Sequence, residues 1–174
     1  MLMIAVAVSI TFVQEQALNM LPNIAFTVVL IVVFTSVFTF KESMVYIFVY
    51  TFLDCLYWGT LDILTMAPLF IGWSLIPISY HTILRKTRSE YKLAIFGIIF
   101  GFVFGWVFIP FQMLKLGITE IWPYILADIW FEVLMAACGG LTILWLYKPL
   151  TEALNKILQN DYKLELKSQK IGQK

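Results

Sequence analysis

Between Leu93 and Leu114 the chain carries no charged residue. A run of that length and character matches the hydrocarbon thickness of a bilayer when wound as a helix. In lipid every backbone polar group must be satisfied within the segment, so a lone spanning segment is helical. Four further stretches are of similar length and largely apolar: Pro22–Phe40, Ser43–Asp62, Pro68–Leu84 and Trp122–Tyr147. Met1–Gln16 is shorter but equally apolar, and it lacks the basic start and small-residue cleavage site of a signal peptide. Composition agrees with this segment count. Hydrophobic residues make up 61% of the chain and charged residues 13%, against roughly 25% charged in a soluble domain. The reading is an all-α integral membrane protein with six transmembrane helices. Residues 1–149 form the membrane domain and 150–174 a polar tail. The tail is expected to run on as an interfacial helix to about Leu158 and then lose order.

Charge placement gives the orientation. With six spans, Lys115 alone among the basic residues falls opposite the termini; Lys41, the Arg85–Lys92 loop, Lys148 and the tail lysines share the terminus side. Cytoplasmic loops carry the excess of Lys and Arg, so both termini are expected in the cytoplasm. The net charge of +1 offers no field that would attract nucleic acid.

Against this apolar background the acids stand out. An aspartate at a helix centre costs roughly 2.5–3.5 kcal/mol to insert in a membrane. In Ser43–Asp62, helical spacing puts Tyr46, Tyr50, Asp54 and Trp58 on one face, with Tyr57 beside it. Asp128 and Glu132 lie four apart on the last helix, where like charges repel and each needs water, a donor or a cation. The external half gathers Glu15, Asn19, Asn23, Asp54, Tyr57, Trp58, Asp62, Asp128 and Glu132, which are the expected substrate-binding residues. Tyr46 falls toward the inner side and reads as helix packing. Gly97, Gly101 and Gly105, spaced four apart, read as a close helix–helix contact. Trp58 and Trp122 also fit an interfacial aromatic belt.

Catalytic signatures are missing from the sequence. There is no HExxH, no Ser/His/Asp set and no phosphate loop, and Cys55 and Cys138 form no CxxC pair. Neither a cofactor nor a metal is expected, and the chain is not expected to be an enzyme. Acids and aromatics around one cavity suit a flat ring carrying hydrogen-bond donors or positive charge.

The length, the six helices, the small residues Ala5 and Ser9 in the first helix and the run Ala17-Leu18-Asn19-Met20-Leu21-Pro22-Asn23 carry a resemblance. The chain resembles the substrate-binding S components of energy-coupling factor vitamin transporters, across nearly its whole length. The resemblance implies capture of a vitamin or related micronutrient at the external surface. It implies association with a membrane T protein and two cytoplasmic ATPases, with Ala5 and Ser9 at the positions that meet the T protein. Two features depart from the pattern: Ser9 stands where alanine is more usual, and no basic residue precedes the first helix. No vitamin-specific residue set matches. Two other classes stay compatible with the sequence: a membrane enzyme using Asp54, Asp128 and Glu132, and a scaffold with the glycine face as its partner surface.

Overall fold

The computed structural model describes residues 1–21, 26–85, 87, 89–117 and 119–171, with side chains described as far as residue 160. Asn23, and the expected helix start at Pro22, lie outside the described residues. The described residues form helices joined by short turns, with no strand among them. Six helices follow in order: α1 Leu2–Ala17, α2 Thr27–Val37, α3 Phe40–Tyr57, α4 Ile63–Ser79, α5 Glu90–Leu116 and α6 Ile121–Ile171. Three segments are long and apolar enough to cross a membrane: Ile63–Leu84, Glu90–Leu116 and Ile121–Asn160. The described α2 has 11 residues and α1 has 16. The α3 segment reaches the needed length but carries Lys41, Glu42 and Asp54.

The core is built around α2. Every residue from Thr27 to Thr35 is buried, as expected of a helix that is apolar on all sides. Around it the other helices form a circuit in which α1 packs on α3, α3 on α4, α4 on α5 and α5 on α6, and α6 returns to α2. The α5–α6 contact is the most extensive. A Cβ at Gly101 would lie 2.5 Å from the Ala136 backbone, and one at Gly97 would lie 3.0 Å from the Gly139 backbone. These glycines let the two helix backbones touch, as their spacing led us to expect.

Several helix boundaries depart from the sequence reading. The third helix starts at Phe40 rather than Ser43, because Thr39 and Glu42 form a reciprocal capping box. The second helix accordingly stops at Val37, where Phe38 turns extended. The fourth starts at Ile63 rather than Pro68, because the Asp62 carboxylate accepts the Thr65 N–H at 3.0 Å and caps it. Pro68 and Pro77 therefore both lie inside α4. Soon after Pro77 the helix widens into a π-turn at Tyr80–Leu84. The tail departs furthest. Helix α6 runs unbroken through Pro149 to Ile171 instead of losing order near Leu158. Leu150 and Leu154 keep the helical repeat going and pack against the core, which anchors the extension past the proline.

Candidate functional site

A cavity of about 460 Å³ lies at the end of the bundle where α1, α3 and α5 finish and α2, α4 and α6 begin. Its walls come from all six helices. Helix α1 and the turn after it give Glu15, Gln16 and Asn19; α2 gives Thr27 and Val28; α3 and its cap give Asp54 and Trp58. Leu69 and Trp73 come from α4, and Phe104, Phe108 and Gln112 from α5. Helix α6 adds Tyr124, Asp128, Phe131, Glu132 and Met135. The volume falls in the range of small-molecule sites, roughly 300–1,000 Å³.

Six of the nine expected residues thus share this cavity: Glu15, Asn19, Asp54, Trp58, Asp128 and Glu132. Two described ones do not line it. Tyr57 packs its ring edge-on to Phe12 at 5.6 Å and to Trp58 at 5.4 Å, and stays exposed. Asp62 is committed to its helix cap and to Lys115, whose ammonium lies 3.0 Å from Oδ2. The Thr65 and Lys115 hydrogen bonds hold the Asp62 carboxyl below its ordinary value of 3.8. It reads as a structural anchor between α4 and α5.

The α1–α3 wall is held by side-chain hydrogen bonds. The Tyr50 hydroxyl donates to Glu15 Oε2. Gln16 Nε2 donates to Asp54 Oδ1 at 3.2 Å. One turn inward, Thr11 and Tyr46 share a buried 2.5 Å hydrogen bond, and Tyr46 packs edge-on to Phe34 and Phe38. Tyr46 is thus a packing residue, in line with its place in the stripe. Gln14 joins α1 to α2: it donates to Thr27 Oγ1 at 2.7 Å and accepts the Phe26 N–H at 2.9 Å. Glu15 and Gln16 therefore have work inside the fold as well as toward the cavity.

The α6 wall differs. Glu132 is 3% exposed, and neither carboxylate oxygen has a hydrogen-bond partner. The Trp106 indole approaches it from α5 without meeting hydrogen-bond geometry. Room for the carboxylate comes from Gly105, where a Cβ would lie 2.6 Å from Glu132 Oε1. Asp128 lies one turn before Glu132, and Tyr124 one turn before Asp128, all on this wall. The described His, Cys, Asp and Glu side chains form no group of three able to hold a metal. The four cavity acids therefore sort into pairs, Glu15 with Asp54 and Asp128 with Glu132.

From α5 the sequence suggested a pocket role for Trp106, whereas Phe104, Phe108 and Gln112 line the cavity. Gln112 is the one uncharged polar side chain of an otherwise apolar and aromatic run, and that isolation was a usable signal. Gln16 and Tyr124, too, lie one residue or one turn from acids that drew attention to themselves. At the opposite end of α1, Ala5 and Ser9 both face outward, and Ser9 Oγ donates to the Ala5 carbonyl at 2.8 Å. A comparison of the chain with protein-family models, with characterised proteins and with solved structures gives no match.

Proposed function

We propose that this chain is the substrate-binding subunit of a membrane importer of the energy-coupling factor type. In this reading all six helices cross the bilayer, both termini are cytoplasmic, and the cavity opens toward the outside. A vitamin-like micronutrient binds there, and a T protein with two cytoplasmic ATPases supplies the energy for its delivery. The chain itself performs no chemistry on the substrate. The observation that carries the reading is the cavity: polar residues distant in sequence converge in an apolar bundle, at the end opposite the basic loops. Buried acids inside a membrane mark substrate pathways more often than packing. The outward-facing Ala5 and Ser9 support α1 as the face that meets the T protein, since small residues let another helix approach closely.

The test separates capture from delivery. Ala5→Trp should abolish cellular uptake while the purified variant retains ligand. Trp58→Ala should weaken ligand retention directly. Undiminished uptake by Ala5→Trp would remove α1 as the docking face, and undiminished retention by Trp58→Ala would remove the outer cavity wall.

A further inference from the structure

The two acid pairs of the cavity are not equivalent. Glu15 accepts a hydrogen bond from Tyr50, and Asp54 accepts one from Gln16. Each of these acids thus has a donor within the protein. Glu132 is as buried as a core residue, and neither of its oxygens accepts a hydrogen bond, the Trp106 indole approaching outside hydrogen-bond geometry. Asp128, four residues away on the same face, receives no hydrogen bond among the described residues either. A buried carboxylate without donors is expensive, and natural structures seldom leave one unanswered. Among the described residues, no lysine, arginine or histidine lines the cavity to answer it. The rings of Phe104, Phe108 and Phe131 line the same cavity.

We propose that the cavity takes an organic cation, with an ammonium or protonated ring nitrogen seated at Asp128 and Glu132 and an attached flat ring against the phenylalanines of α5 and α6. The proposal rests on the capture function above and narrows its substrate class. The α6 pair supplies the counter-charge, while Glu15 and Asp54 shape the opposite wall. An anionic ligand would set like charge against this acid pair, and a neutral one would offer it no counter-charge. Among the described residues no third His, Cys, Asp or Glu joins either pair, which favours an organic cation over a bare divalent ion. Aromatic faces add cation–π attraction where water is excluded.

The experiment uses three probes that share an indole ring: tryptamine (cationic), tryptophol (neutral) and indole-3-acetate (anionic). Binding to the detergent-purified full chain is measured by titration calorimetry. Tryptamine should bind about tenfold or more tighter than tryptophol, the gain expected of a charge-assisted hydrogen bond, and indole-3-acetate weakest. Glu132→Gln should remove the roughly tenfold preference of the chain for tryptamine over tryptophol, with an unchanged melting temperature showing that the variant is folded. If Glu132→Gln does not fold, Asp128→Asn is read in the same way. Tryptophol or indole-3-acetate binding as tightly as tryptamine would overturn the charge assignment and leave the capture function standing. Failure of all three to bind would overturn the proposal, and capture would then stand or fall on whether a small molecule co-purifies with the wild-type chain.

Discussion

Asp62 was expected at the substrate and is found holding two helices together. Its Oδ1 accepts the Thr65 N–H, and its Oδ2 accepts from the Thr65 hydroxyl at 2.8 Å and from Lys115. All three interactions favour the charged carboxylate, so its folded-state pKa lies below the ordinary 3.8. The stabilisation is therefore complete above the unfolded value and is lost as pH falls through the folded one. The melting-temperature margin of the wild type over Asp62→Asn should hold steady from about pH 7 to about pH 5 and close as the pH drops below about 4. A margin that instead widened with acid would contradict this assignment. The same ion pair accounts for Lys115, the one basic residue expected on the external side. Glu15 and Tyr50 show the opposite economy: an acid that drew attention as a site residue also closes the α1–α3 contact. Residue type pointed to both acids, but only their partners separate anchor from cavity wall.

At the scale of elements, α5 and α6 form the most closely apposed pair, and Gly101 is where their backbones approach most tightly. A methyl group there meets the Ala136 backbone, which cannot yield as a flexible side chain would. Gly101→Ala should therefore lower stability by about 1–3 kcal/mol, the usual cost of overpacking. A lowered melting temperature checks it, and an unchanged one would mean that the helices do not approach this closely. The glycine spacing made this contact legible in the sequence, as apolar run length did for the existence of the six helices. Helix starts were less legible, because apolar periodicity does not record capping. Thr39-Phe40-Lys41-Glu42 is a capping-box pattern and Asp62 lies three residues before Thr65. Both were visible but outweighed by the runs around them. The length of α6 was hidden by Pro149, which ordinarily interrupts a helix. Six cavity residues were legible because polar groups are conspicuous in an apolar chain. The aromatic share of α5 was not, since a phenylalanine facing a cavity looks like one facing lipid until its neighbours are placed.

At the scale of the whole molecule, α2 is a buried post packed among the other helices, and one end of the bundle is a receptacle. Its topology is open to direct examination. With Cys55 and Cys138 replaced, a cysteine introduced at Glu120 should react with an impermeant thiol reagent in intact cells, and one at Ser89 only after the membrane is opened. Equal labelling of both positions in intact cells would break the six-span arrangement. The charge placement already sets the poles of such a molecule, with basic loops at one end and the acid-lined cavity at the other. The central claim is that this cavity holds one small molecule without help from any ATPase. Native mass spectrometry of the detergent-purified chain tests it most directly, comparing wild type with Gly105→Leu, whose larger side chain displaces Glu132 and fills the space beside it. The account predicts one non-lipid small molecule per wild-type chain, lost in the folded variant. A folded wild-type chain that carries no such molecule when prepared from cells supplied with micronutrients, or a variant that retains it fully, would contradict the claim.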